Sequence, residues 1–409
     1  MEAGYEQSMR DMHVAVISHK ICWASPDSPT GHMTDGGFPL QMEAISWLFS
    51  AITLVVPVDT TEVPTGLTPL NGNKMTVTPL TVPVGEGIRR KLDMLRWAIV
   101  NGPVIWRAVR DADVVHTPIP GDVGTVGMVF AMILRKRLFV RHCGNWLEPR
   151  TAAEKLWKWS MERFAGGRNV MLATGGAADP PSMKNPSVSW IFSSSLREDQ
   201  VNRGIPRVAP DDDELRLIIA CRQERRKGTD VVISALPAIA ETFGSVVLDV
   251  VGSGSWLNDL KEQTRSLGIE DRVNFLGKVK QTEVIDLMRR AHVFCYPTSA
   301  SEGFPKVVLE ALASGLPVIT TKVSVLPQLL SSGCGILLDD ATPDQLENAV
   351  KRICLDRDLY DAMSRNAILT ARRFSLENWS ETIGEKLRRS WEIDSLAQDK
   401  LALEEQVGS

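Results

Sequence analysis

The stretch SASEGFPKVVLEALASGLPVITT (299–321) holds the densest set of groups able to do chemistry. Two carboxylates, Glu302 and Glu310, stand there with seven residues between them. Glu302 follows the apolar run HVFCYP (292–297), where open α/β sheets put their ligand-contacting loops. Gly303 permits tight backbone geometry, and Pro305 suits the first turn of a helix, where its missing N–H costs nothing. A helix N-terminus at 303–306 points backbone N–H groups and a partial positive charge beyond the strand, which makes an anion site. Glu310, about one and a half turns further on, reaches a neutral polyol beside that anion. One glutamate in the loop and one on the helix would hold two sets of hydroxyls across a phosphate.

A second group lies in IIACRQERRKGTD, after the run LRLIIAC (215–221). Arg222 and Lys227–Gly228 bring two cations to a strand end, where they would stabilise negative charge. Arg225 and Arg226 read as solvated charges at a helix start. Gly252-Ser-Gly254-Ser closes the run SVVLDVVG (245–252), but position 257 is leucine, so the third glycine of a dinucleotide fingerprint is missing. NAD or FAD is therefore not expected.

At these residues the chain resembles the retaining glycosyltransferases of family 4, which have the two-domain GT-B fold. Their mark is E-x7-E followed by an A-x-G-x-P-V-I strand entry, read here as Glu302-GFPKVVL-Glu310-ALASGLPVIT. The resemblance implies that Glu302 contacts the donor sugar and Glu310 the ribose of the nucleotide. The backbone of Gly303, Phe304 and Pro305 would lie against sugar and diphosphate. Arg222 and Lys227 match the family's strand, G-R and K-G pattern, with Cys221 where the family usually has glycine. Gly252 and Gly254 match its G-x-G turn, and FLGKV (275–279), with Lys278 and Val279, the segment bordering the base.

In the first half, Gly36 and Gly37 of Thr34-Asp35-Gly36-Gly37 resemble the family's Gly-Gly turn beside donor phosphate and acceptor. His142, ending LFVRH (138–142), aligns with a histidine near the donor sugar, and Asn145 and Trp146 are expected to line the acceptor pocket. The family's Asn-Gly turn before the linker is not matched: VSWIF (188–192) runs into Ser193-Ser194-Ser195.

The implied reaction moves a sugar from a UDP- or GDP-sugar, with retention, to an acceptor hydroxyl in polysaccharide, glycolipid or glycoconjugate synthesis. The leaving diphosphate deprotonates the acceptor, with no cofactor and no essential metal. Asp111-Ala112-Asp113 has the D-x-D spacing of metal-binding glycosyltransferases, but it precedes its strand and reads as a turn. A GT-B nucleotide-sugar epimerase and a non-catalytic nucleotide-sugar-binding protein are the alternatives.

These residues need a scaffold, and the chain alternates short β-branched runs with amphipathic segments almost throughout, the pattern of βαβ units and parallel sheets. The expectation is an α/β protein of two Rossmann-like domains facing a cleft. Residues 1–200 form the acceptor domain, 201–214 a Pro- and Asp-rich linker and 215–375 the nucleotide-sugar domain. A helical segment, 376–409, returns to the first domain.

The 409 residues are 44% hydrophobic and 23% charged, an ordinary globular mixture that excludes a disordered or fibrous chain. The net charge of −4 gives no basic footprint for nucleic acid. Residues 51–200, however, hold 18 Lys and Arg against 13 Asp and Glu. Their cations interleave with Trp97 and Trp106 in 88–110 and with Trp157 and Trp159 in 135–159, faces suited to anionic lipid headgroups. Peripheral contact with the cytoplasmic face of a membrane is expected there. The six cysteines form no C-x-x-C pair and read as reduced thiols of a cytoplasmic protein. The polar N-terminus is not a secretory signal.

Overall fold

The computed structural model describes residues 8–61, 63–83, 87–149, 151–176, 179–210, 214–301 and 303–393, without the side chains of 87–92. The chain divides into two compact units. One holds the chain up to Gly175, Asp179–Ser195 and the chain from Leu376; the other holds 176–178 and Leu196–Ser375.

The first unit contains β1 (His13–Ile17), β2 (Cys22–Ala24), β3 (His32–Thr34), β4 (Ala51–Asp59), β5 (Thr68–Pro69), β6 (Met75–Leu80), β7 (Val114–Ile119), β8 (Arg137–His142), β9 (Asn169–Thr174) and β10 (Val188–Ile191). Its helices are α1 (Phe38–Ser46), α2 (Gly87–Asp111), α3 (Asp122–Ile133) and α4 (Ala152–Phe164). Seven strands run parallel in the order β6-β4-β1-β7-β8-β9-β10, and β2, β3 and β5 form a small extension beside β4. The period of two sends Val14 and Val16 into one apolar cluster and Ala15 and Ile17 into another, so both faces of the sheet are covered. The Thr- and Pro-rich stretch after β4 contributes β5 and β6; Pro79 is tolerated because β6 lies at the sheet edge.

The second unit contains β11 (Leu215–Ala220), β12 (Val246–Val251), β13 (Val273–Gly277), β14 (Val293–Tyr296), β15 (Val318–Thr321) and β16 (Gly335–Leu338), all parallel, ordered β13-β12-β11-β14-β15-β16. That is the doubly wound order, with its switch point between β11 and β14. Its helices are α5 (Glu198–Asn202), α6 (Thr229–Phe243), α7 (Leu257–Ser266), α8 (Gln281–Arg290), α9 (Lys306–Ala313), α10 (Leu326–Leu329), α11 (Pro343–Leu355) and α12 (Arg357–Arg373). Leu217 and Ile219 enter one flanking core, and Ile218 and Ala220 the other. On the sheet, Asp249 is buried and bonded to Arg216 at 3.2 Å and Asn274 at 2.9 Å, tying three adjacent strands together.

The expected connector at 201–214 is, where described, part of the second unit. Arg207 donates its backbone N–H to Ser364 Oγ at 2.6 Å and Nη2 to the Ala291 carbonyl at 2.7 Å. A Cβ at Gly204 would overlap the Ala313 carbonyl. Two prolines and an acidic cluster suggest a loose linker, but these bonds fasten it. The last helix, α13 (Leu376–Trp391), belongs to the first unit, where Leu376, Trp379, Ile383, Leu387 and Trp391 form one buried stripe at helical spacing. Among the described residues no helix is long and apolar enough to cross a membrane.

Candidate functional site

Three loops interlock at the carboxyl edge of the second sheet. Gln223, just past β11, is fully buried; its Nε2 donates to the Val251 carbonyl at 3.0 Å, and its Oε1 accepts from Thr229 Oγ1 at 2.7 Å. The Gln223 N–H donates to the Ser253 carbonyl, and the Gln223 carbonyl accepts from the Trp256 N–H. Glycine permits the close approach. A Cβ at Gly252 would overlap the Cys221 carbonyl, one at Gly254 the Gln223 carbonyl, and one at Gly228 the Pro297 carbonyl. Gly252 and Gly228 also hold φ values of 110° and 81°. The three glycines thus lock the loops after β11, β12 and β14 together at the switch point.

Lys227 sits inside this knot. It is 5% exposed, its Nζ donates to the Tyr296 hydroxyl at 3.4 Å, and desolvation lowers its pKa. Arg222 faces solvent instead, its Nη1 paired with Glu224 at 2.7 Å. The two expected cations therefore differ: one is buried under the edge and the other is exposed and ion-paired. Helices α6 and α9 begin at this edge, capped by Gly228 and Pro305, and direct their N-terminal dipoles to it. The Phe304 ring packs 5.8 Å from that of Phe374.

Glu302 lies outside the described residues. Glu310 accepts a 2.6 Å hydrogen bond from Gln281 Nε2, and burial raises its pKa. It lines a cavity of about 280 Å³ shared with Leu196, Gln200 and Ile285. Lys278 is exposed, Val279 packs on the apolar cluster beside β14, and the Gly252 N–H donates to the Gly277 carbonyl at 2.7 Å. The expected base-bordering segment thus reaches the glycine knot through its backbone.

In the first unit Gly36 turns at φ 71° and Gly37 caps α1. The Lys20–Asp35 ion pair and the Thr34 hydroxyl, donating to the Ile21 carbonyl at 2.6 Å, pin this turn to the loop after β1. Trp146 belongs to the buried apolar cluster on one face of the sheet. It is 1% exposed, with its Nε1 spent on the Pro181 carbonyl at 2.7 Å. Asn145 folds back to accept from the N–H groups of Leu147 and Glu148. A polar residue next to a tryptophan after a strand suggests a rim, but the indole is large enough to turn inward and fill the core.

His142 is 2% exposed, edge-on to the Trp146 ring at 5.3 Å, and its Nδ1 has no hydrogen-bond partner. Burial pushes its pKa down to about 4, so the imidazole is neutral at pH 7. Because the folded state resists protonation and the unfolded one accepts it near 6.5, stability is complete above pH 6.5 and is lost as pH falls toward 4. The full loss is on the order of 3 kcal/mol. His142→Phe should flatten the fall in Tm between pH 6.5 and 4; an unchanged slope would assign that fall elsewhere.

A cavity that the sequence did not signal lies at the first unit's own switch point, between the ends of β1 and β7. It encloses about 430 Å³ and is lined by His19, Ile21, Pro83, Pro120, Asp122 and Trp157. Gly121 keeps it open to His19, since a Cβ there would overlap the imidazole. These residues come from four separate stretches, and no local pattern connects them. Asp111 and Asp113 hold structural roles, pairing with Arg110 at 2.7 Å and accepting the His13 N–H at 2.9 Å. Among the described residues no three His, Cys, Asp or Glu side chains gather as a metal site.

Two Rossmann-like α/β units with parallel sheets define the architecture of the GT-B glycosyltransferases. Residues 203–370 match the family described as glycosyl transferases group 1. The chain is 35% identical over 120 residues to the phosphatidylinositol N-acetylglucosaminyltransferase gpi3 subunit of Schizosaccharomyces pombe, covering 29% of this chain and 26% of that one. It is 32% identical over 145 residues to the GDP-mannose-dependent alpha-(1-6)-phosphatidylinositol monomannoside mannosyltransferase of Mycobacterium tuberculosis, covering 34% and 38%. The match thus spans well under half the length of either relative. The Anabaena protein HepE in complex with UDP superposes with a TM-score of 0.67 at 18% identity, covering 92% of this chain and 100% of that one; the likeness is one of fold.

Proposed function

We propose that this chain transfers a sugar, with retention, from a UDP- or GDP-sugar to a hydroxyl of an inositol-containing lipid or related glycolipid acceptor. The observation that carries this reading is the glycine-locked carboxyl edge of the second sheet, with Lys227 buried beneath it and two helix N-termini directed at it. A diphosphate there meets one desolvated cation, one exposed arginine and two helix dipoles, which stabilise the charge that develops as the glycosidic bond breaks. Glu310 and Gln281 hold the ribose hydroxyls, Glu302 the donor sugar, and the backbone at Gly252, Gly254, Lys278 and Val279 the nucleotide. The leaving phosphate oxygen takes the acceptor proton on the face from which it departs, so the configuration is retained without a side-chain nucleophile. The names of the relatives support the acceptor class.

In this reading the first unit's cavity takes the acceptor. Trp157 offers a flat apolar wall to a ring, and His19 and Asp122 are the polar side chains of its lining. The same unit presents Leu95, Ile99, Val129, Ile133, Leu156 and Trp159 to solvent on α2, α3 and α4, amid exposed Arg96, Arg107, Lys155 and Arg163. This basic apolar face suits an anionic bilayer carrying the acceptor. Of the four tryptophans expected there, only Trp159 serves; Trp97 is 6% exposed, and Trp106 and Trp157 pack between helices.

The test is a panel of UDP- and GDP-sugars, read first by thermal stabilisation and then by sugar transfer to phosphatidylinositol vesicles. One donor should raise Tm and yield a glycolipid with the donor's anomeric configuration. Inversion, or turnover of the donor without an acceptor, would overturn the reading.

A further inference from the structure

We propose that Arg141, at the end of β8, is the recognition element of an oxyanion site in the first unit that takes a phosphate group. Arg141 is 3% exposed, yet its Nε and Nη1 have no hydrogen-bond partner, and among the described residues it forms no ion pair. Its one strong contact is the Trp379 ring, 4.8 Å from the guanidinium carbon. A desolvated cation–π contact offsets only part of what burying an ion costs. The ring alone therefore leaves this charge undercompensated.

The surroundings add positive potential. Helix α13 passes over β8 with Trp379 above Arg141 at the strand's carboxyl end and Trp391 above Arg137 at its start. Its N-terminal dipole is therefore directed at the same edge as Arg141. Trp379 Nε1 is a further buried donor without a partner. His116, one strand away, donates Nδ1–H to the Phe139 carbonyl at 3.0 Å and stays neutral, its Nε2 also unpartnered. A guanidinium, an indole N–H and the first turn of α13, which also carries Glu377, thus lie at the same edge. A planar guanidinium with unpartnered donors is matched to phosphate, and the edge is where open α/β sheets bind ligands.

The inference rests on the transferase reading in one respect: the phosphate is that of the acceptor. It comes from a lipid headgroup or from a free phosphorylated polyol, and the chemistry at Arg141 is the same. Inorganic phosphate is the first probe, titrated at constant ionic strength into Lys227→Ala protein, whose diphosphate site is weakened. Saturating phosphate should raise Tm by roughly 2–4 °C, and adding Arg141→Met should abolish the rise, whatever that substitution does to the starting Tm.

Trp379→Phe keeps the ring and removes one donor, so it should weaken phosphate binding severalfold. Inositol 1-phosphate and vesicles of phosphatidylinositol against phosphatidylcholine then separate the free source from the lipid one. A phosphate response equal in the presence and absence of Arg141, or none at all, overturns the site. Because this readout involves no donor sugar, the failure of sugar transfer leaves it standing, and its failure leaves the transfer assay standing.

Discussion

Lys227→Ala is expected to fold, to retain both units, and to transfer sugar at least a hundredfold more slowly than the wild type. A charge-assisted hydrogen bond is worth about 1.5–3 kcal/mol, or roughly ten- to a hundredfold in rate. Lys227 belongs at the upper end because it is desolvated, and Coulombic terms grow as water is excluded. Arg222 is exposed and already held by Glu224, so Arg222→Ala should cost closer to tenfold. This ordering departs from the equal roles that the sequence suggests for the two cations.

The depressed pKa of Lys227 adds a second readout. Diphosphate binds the protonated amine, so kcat/KM should fall as pH rises through a value below the ordinary 10.5 of a lysine. Lys227→Arg should move that alkaline limb upward. Near-wild-type turnover by folded Lys227→Ala carrying Glu302→Ala as well would sink the assignment of the site.

The features legible in the sequence were those written locally. LRLIIAC, SVVLDVVG and HVFCYP are apolar runs bounded by turn residues, and each became a central parallel strand within a residue or two. Lys227–Gly228 and Gly252-Ser-Gly254 also survive translation into structure, because a positive φ and a carbonyl in close approach each demand glycine at one position. What stayed hidden was relational. Trp146 looks like a pocket wall until its indole N–H is seen bound to Pro181. The cavity between β1 and β7 draws on His19, Pro83, Asp122 and Trp157, which only the strand order brings together. Arg141 resembles any surface arginine until two parallel strands and α13 enclose it. β6 is hard to read in the sequence because Thr and Pro dilute its alternation, which an edge strand permits.

Gly252→Ala should be the most damaging single methyl group in the second unit. The residue holds φ at 110°, a region that L side chains rarely adopt, and its Cβ would overlap the Cys221 carbonyl. That carbonyl cannot swing aside, because Cys221 donates its N–H to the Val251 carbonyl and accepts from Gln223 Nε2 at 3.2 Å. Backbone strain costs about 1–3 kcal/mol, and the steric overlap adds roughly as much again. The loss should therefore be about 3 kcal/mol or more, a fall in the second unit's Tm of roughly 6–12 °C. Gly244 supplies the control. It has a φ of 70° but nothing near its missing Cβ, so Gly244→Ala should carry only the backbone strain, about 1–3 kcal/mol, without the overlap. Gly252→Ala should also abolish stabilisation by the donor, since the displaced loop carries Gln223 and the chain leading to Lys227 with it, whereas Gly244→Ala should leave donor binding intact. If the two substitutions cost the same, the knot of loops at the carboxyl edge is not what fixes the site, and the geometry around Lys227 must be held by the helices alone.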